Sequence, residues 1–259
     1  QNSLPTGSTT EFWINLTVPE GANVESLNWT VELTDAYTGE QKYWLVLPIT
    51  VDASYSVRID QLNPAYPALT LSPGDSGDVE MTVTNTGNQL AYWNLGSYFS
   101  DATWGASNLE WLEDWDEDGN LSPTNQVTLS KGAEKIVTAR FTAPEEVPPG
   151  EVEISLVASG VPPASAQSVE RIYIEIPGTS SVSVEAGVSM ITAEANGYIR
   201  TVEMIVKNNG NSPESFDLSV DADWHIGAYL TSMITEQVDP FGGEAVVMVM
   251  MPMPQGLLP

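Results

Sequence analysis

The stretch DVEMTVTNTGNQ, Asp78 to Gln89, returns as TVEMIVKNNGNS at Thr201 to Ser212. Val79, Glu80, Met81, Asn85, Gly87 and Asn88 each recur 123 positions later, as Val202, Glu203, Met204, Asn208, Gly210 and Asn211. Apolar and polar residues alternate through both copies, the period-two pattern of a strand with one face on a core and the other in water. The Asn and Gly residues that follow tolerate positive φ, and an Asn side chain bonds readily to nearby backbone. Each run therefore closes on a turn between strands rather than on a ligand site. The same offset sets Trp93 against Phe216 and Leu95 against Leu218, with Asn94 and Asp217 between them. A unit of roughly 125 residues suits a two-sheet sandwich and far exceeds a propeller blade or a solenoid repeat.

A second phrase, an alternating apolar strand running into proline, occurs three times: EFWINLTVPEGAN from Glu11, KIVTARFTAPEEVPPG from Lys135 and EAVVMVMMPMPQG from Glu244. The two phrases keep one order. The expectation is therefore a window on a tandem array: residues 1–51 as the latter part of a first unit, 52–177 as a complete unit and 178–259 as a partial third. Strands are expected at 11–18, 27–33 and 43–51 in the first stretch. The middle unit should hold seven or eight, at 55–59, 68–71, 79–85, 91–95, 127–129, 136–142, 152–157 and 169–176. The third should hold 182–190, 198–207, 215–220 and 245–251. Asn108 to Leu112 reads as a single helical turn in a long loop, and no long helix is expected. Trp13, Trp29, Trp44 and Trp93 lie on or beside strands and are expected to fill the space between sheets. Tyr92 and Trp93 cannot share a strand face, so one of them should be exposed. The short Pro177–Ser181 link favours restricted motion between neighbouring units.

Composition narrows the partners. Eight Lys plus Arg face 35 Asp plus Glu, a formal charge of -27, against a magnitude of about 2 to 8 for a small soluble domain. Such a surface repels phosphate backbones and anionic lipid, which argues against nucleic acid. Divalent cations or a salty medium suit it better. No cysteine occurs, which removes disulfides, thiolate nucleophiles and cysteine zinc sites. Neither a basic-then-apolar signal segment nor an 18-residue apolar run is present, so no direct membrane insertion is expected in this stretch. Asn15 and Asn28 open Asn-x-Thr triplets that would accept glycans on an exported chain.

The most ordered chemical motif is Asp114-Trp115-Asp116-Glu117-Asp118-Gly119-Asn120. Oxygen donors at Asp114, Asp116, Asp118 and Asn120, with Gly119 inside the run, match the opening of a calcium loop. The twelfth position is Asn125 where that loop has a bidentate Glu, and helical flanks are lacking. A structural calcium that orders an inserted loop is the expectation, with Glu110 or Glu113 available to complete the shell. Trp111 and Trp115, beside these acids, form the best patch for packing on a sugar face. Catalysis has weak support: the single histidine, His225, follows Asp221, Asp223 and Trp224, but no nucleophile motif accompanies it. Carboxylate pairs are inevitable among 35 acids and so do not identify a glycosidase.

The Pro-Gly turn at Pro73-Gly74, the strand from Val79 to Thr84, the Asn85–Asn88 turn and the Ala143–Gly150 phrase together resemble the CARDB and alpha-galactosidase-associated Ig-like domains of archaeal and bacterial surface proteins. The resemblance covers 52–177 well, 180–259 in part, and 1–51 over the latter half of a unit. It implies tandem immunoglobulin-like β-sandwiches, all-β, acting as adhesive or spacer modules at the cell surface, and it carries no catalytic residue. The acidity and the Asp-rich loop also look like those of salt-adapted archaeal surface proteins. The leading expectation is an extracellular structural or adhesive module, non-enzymatic, whose partners are neighbouring repeats, further copies or surface protein and glycan. An accessory glycan-binding region of a larger exported enzyme is the alternative.

Overall fold

The computed structural model describes residues 5–19, 21–35, 37–114, 121–188, 190, 197–221 and 227–253. The chain is built from strands. An amphipathic hairpin comes first, β1 (Glu25–Thr34) with β2 (Gln41–Val51). One face carries Leu27, Trp29, Val31 and Leu33 opposite Ile49, Leu47, Leu45 and Tyr43, and the other carries Ser26, Asn28, Thr30 and Glu32.

The middle unit comprises β3 (Val57–Gln61), β4 (Leu69–Thr70), β5 (Ser76–Asn85), β6 (Ala91–Phe99), β7 (Leu109–Asp114), β8 (Leu121–Pro123), β9 (Gln126–Leu129), β10 (Glu134–Thr142), β11 (Gly150–Gly160) and β12 (Gln167–Ile176). They form two five-stranded sheets, ordered β3-β5-β10-β7-β8 and β4-β12-β11-β6-β9. Every pairing is antiparallel except β4 with β12. Val79, Met81 and Val83 of β5, Val137, Ala139 and Phe141 of β10, and Val152, Ile154 and Leu156 of β11 turn inward onto Trp93. Burying each large apolar side chain contributes about 1.5 to 3 kcal/mol. This is a closed immunoglobulin-like β-sandwich.

Among its described residues the third unit has one four-stranded sheet, ordered β13 (Val182–Ala186), β14 (Ile199–Asn208), β16 (Gly243–Pro252), β15 (Tyr229–Leu230). Ladder register matches it to the middle unit. Val182 stands opposite Asn208 as Val57 stands opposite Asn85, and Val202 opposite Val249 as Val79 opposite Ala139. The β1–β2 hairpin is likewise the counterpart of β11–β12. Glu25 pairs with Val51 as Gly150 pairs with Ile176, and Trp29 with Leu47 as Ile154 with Ile172.

Several expectations need correction. Residues 11–18 form no strand and lie exposed, because the ladder neighbours that hold β10 have no counterpart beside them among the described residues. Trp13, Trp29 and Trp44 are exposed rather than packed between sheets, while Trp93 is buried and Tyr92 is the exposed neighbour. Asn108 to Leu112 is no helical turn. A 3-10 turn spans Ala106–Asn108, and β7 follows, pairing Leu112 with Thr138 and Trp111 with Ala139 of β10. Among its described residues the middle unit therefore has ten strands rather than seven or eight. Among the described residues, 215–220 form no strand and carry one isolated bridge, Asp217 to Ile234, with Glu214 bridging Val238 just before them.

Candidate functional site

The residues that repeat most faithfully are at the junctions between units. Each junction is a five-residue link: residues 52–56 between β2 and β3, and 177–181 between β12 and β13. In the first, Asn88 accepts a bond from the Ser54 N–H at 2.7 Å and donates its amide to the Asp52 carbonyl at 3.0 Å. In the second, Asn211 accepts from the Thr179 N–H at 2.7 Å and donates to the Pro177 carbonyl at 3.0 Å. Backbone bonds continue the pattern. The N–H of Asn88 donates to the Ser54 carbonyl at 3.0 Å and that of Thr86 to the Ser56 carbonyl at 3.0 Å. The N–H of Asn211 donates to the Thr179 carbonyl at 3.2 Å and that of Asn209 to the Ser181 carbonyl at 2.8 Å.

A second asparagine in each copy holds the turn itself. Asn85, fully buried, donates to the carbonyls of Gln89 at 2.7 Å and Leu129 at 2.9 Å, and accepts from the Gly87 N–H at 3.0 Å. Asn208, also fully buried, donates to Ser212 at 2.7 Å and Val238 at 3.0 Å, and accepts from the Gly210 N–H at 3.0 Å. Buried amides of this kind are stable only when satisfied, and both are.

The glycine has a different reason from the one its sequence suggests. Neither Gly87 nor Gly210 is among the positive-φ residues. A Cβ at Gly87 would instead stand 2.4 Å from the Ser54 carbonyl oxygen, and one at Gly210 2.3 Å from that of Thr179. Glycine is there so that the link can lie against the turn. At the first junction Lys131 also reaches across to Asn23, Nζ to Oδ1 2.7 Å.

Charge is arranged around this frame as cross-strand pairs. Arg140 of β10 grips its register partner Asp78 of β5 with two bonds of 2.8 Å, which holds that carboxyl below the usual carboxylate range. Lys207 lies 3.2 Å from both Glu244 and Glu185, and the two carboxylates raise its pKa. Lys135 pairs with Glu113. Such exposed pairs add little stability, and most carboxylates remain as uncompensated surface charge.

The other expected sites fare differently. Trp111 is 6% exposed in the core of the middle unit, so its ring is not available to a sugar. Asp114 ends β7, exposed, and pairs with Leu121 of β8, so a strand rather than a helix stands on each side of the Asp-rich run. Trp115, Asp116, Asp118 and Asn120 lie outside the described residues, as do Asp223, Trp224 and His225. Glu113 is engaged by Lys135, and Glu110 faces Arg140 across the ladder. The β7–β8 stretch is an insertion: 18 positions separate Trp111 from Leu129, but only eight separate their counterparts Leu230 and Val238. Asn15 and Asn28 are both exposed, the latter on the polar face of β1.

No family model and no curated protein matches the chain. Among solved structures it is similar to the seventh PapD-like domain of human CEP192, at 14% identity over 67% of this chain and 98% of that one, TM-score 0.27. It is also similar to the Escherichia coli chaperone DraB, at 16% identity over 78% and 88%, TM-score 0.30. A family 123 glycoside hydrolase from Clostridium perfringens aligns at 12% identity over 48% of this chain, TM-score 0.35. The chain spans only 27% of that hydrolase.

Proposed function

We propose that the chain is a non-enzymatic structural module of a large extracellular surface protein or filament, whose work is to hold β-sandwich units in a fixed succession. The observation that carries the reading is the bond-for-bond recurrence of the asparagine clamp at two successive junctions. A tether that needed only to be flexible would have no use for five residues fastened through their backbone to the following unit. Surface acidity and two exposed sequons support placement outside the cell, where salt screens self-repulsion. A calcium ion held by Asp114, Asp116, Asp118 and Asn120 would offset part of their negative charge. The accessory glycan-binding alternative is weakened by the burial of Trp111.

The test is the spread of distances between spin labels placed on exposed strand positions of the middle and third units. A narrow distribution in the parent chain that broadens in Asn211→Ala is expected. A parent distribution as broad as a free five-residue linker gives would refute the reading.

A further inference from the structure

Within the turn that each link lies against, the two junctions differ at one position: Asn85-Thr86-Gly87-Asn88 in the first is Asn208-Asn209-Gly210-Asn211 in the second. The change sets an asparagine directly before glycine. In such a pair the glycine nitrogen reaches the preceding side-chain amide with no Cβ in its way.

In the folded chain that approach is held off from both ends. The Gly210 N–H donates to Asn208 Oδ1 at 3.0 Å, and the Gly210 carbonyl accepts from the Phe241 N–H at 3.0 Å. The attacking nitrogen therefore keeps its proton, and its peptide plane is fixed. The group that would leave, Asn209 Nδ2, donates to Ser183 Oγ at 2.9 Å. The Asn209 N–H donates to the Ser181 carbonyl of the link at 2.8 Å. Gly210 is buried and lies so close to the Thr179 carbonyl that a Cβ has no room there. Part of the restraint is thus the link itself.

We infer that Asn209 is a deamidation site which the seated link keeps closed and an opened junction releases, so that opening becomes permanent. Once the link lifts, the Gly210 nitrogen loses its proton and attacks Asn209 Cγ. The new N–Cγ bond closes a succinimide ring, and the side-chain nitrogen leaves as ammonia with that proton. Water then adds to one ring carbonyl and breaks one C–N bond, leaving aspartate or, where the main chain is rerouted through the side chain, isoaspartate. Both products replace an amide donor with a carboxylate on a chain already at -27. Isoaspartate also lengthens the main chain by a methylene in a turn with no room to spare, so the link no longer seats. Thr86 offers no amide, and the first junction opens and recloses unchanged.

The inference builds on the fastened-link reading but fails apart from it: narrow label distances with rapid conversion at Asn209 would remove the latch and leave the module. The test is peptide mapping by mass spectrometry of the full chain held at mildly alkaline pH. Asn196, in the chain's other Asn-Gly pair, is the internal reference. Conversion at Asn209 is expected to be at least about tenfold slower in the folded parent than in urea, the protection that a local opening of about 1.4 kcal/mol gives. Asn211→Ala, which unfastens the link, should speed it about fivefold, the population change that about 1 kcal/mol brings, with Asn196 unchanged. Parent chain aged in urea and returned to buffer should lose the narrow label distances between the middle and third units. Asn209→Thr, taken through the same steps, should regain them. Conversion as fast in the folded parent as in urea overturns the inference, as does an Asn211→Ala rate equal to that of the parent. An aged parent that recovers as fully as Asn209→Thr overturns it too.

Discussion

Replacing Asn85 by alanine should weaken the middle sandwich far more than a change of one polar side chain in a turn ordinarily does. The side chain is fully buried and its three bonds all run to backbone. Of the three groups, the Leu129 carbonyl belongs to a buried residue and the Gln89 carbonyl to a half-buried one, while the buried Gly87 N–H keeps a second acceptor, the Ser56 carbonyl at 3.2 Å. An unpaired buried polar group costs about 1 to 3 kcal/mol, and one that water can reach costs less than about 1. With one buried orphan and one that water can reach, the sum is about 1 to 4 kcal/mol. In a unit of roughly 125 residues each kcal/mol moves the melting point by about 3 to 6 °C, so a fall of at least about 3 °C is expected. Calorimetry of the full chain reads it as a shift of the middle unit's transition, and Asn208→Ala should shift the third unit's transition instead. Asn88→Ala is the internal contrast. Its partners Asp52 and Ser54 are exposed, so water substitutes, and a loss of about 1 kcal/mol is expected while the junction loosens. A loss under about 1 kcal/mol for Asn85→Ala would refute the reasoning, since it would mean that water or a local shift satisfies the orphaned groups.

Gly210→Ala brings a Cβ to 2.3 Å from the Thr179 carbonyl oxygen; overpacking of this kind costs about 1 to 3 kcal/mol, read by chemical denaturation of the third unit, with a neutral result counting against a fastened link. Glu170 has its pKa raised, by burial first and by the Asp60 carboxylate second, against a bond from the Gln61 N–H. The folded state therefore holds that proton more tightly than the unfolded one, and stability is gained as pH falls through the folded value. Glu170→Gln should raise the melting point at pH 7 and lose that advantage below the ordinary 4.5, so an unchanged melting point at pH 7 would contradict the assignment. Calcium titration by calorimetry should give heat in the parent chain and none in the Asp116→Ala, Asp118→Ala double variant; heat unchanged in the variant would detach the ion from these residues.

The sandwich was legible because β5 and β14 spell period-two burial twice at one offset. The strand β7 was not, because Leu109, Trp111 and Leu112 satisfy a helical spacing as well as an alternating one. Only the distant ladder to β10 decides between them. The clamp was half legible. Asn85, Gly87 and Asn88 recur, and that recurrence is the signal. Their partners are backbone atoms of a link whose side chains are free to differ: Asp52, Ala53 and Ser54 in one copy, Pro177, Gly178 and Thr179 in the other. On the link side only Ser56 recurs, as Ser181, so the turn looked self-contained. Trp29 and Trp44 were misplaced for a related reason: alternation shows which face of a hairpin is apolar but not whether a second sheet lies against it.

The clamps also determine how the chain answers a pull. Tension passing along the polypeptide into a unit meets the Asn88 amide, or Asn211 one unit later, before it reaches the first ladder of the sandwich. The load is then shared among the side-chain bonds and the backbone bonds at Ser54 and Ser56, strained together in shear, rather than falling on one strand end that could peel bond by bond. A fibre of such units would stretch little until a clamp gave way.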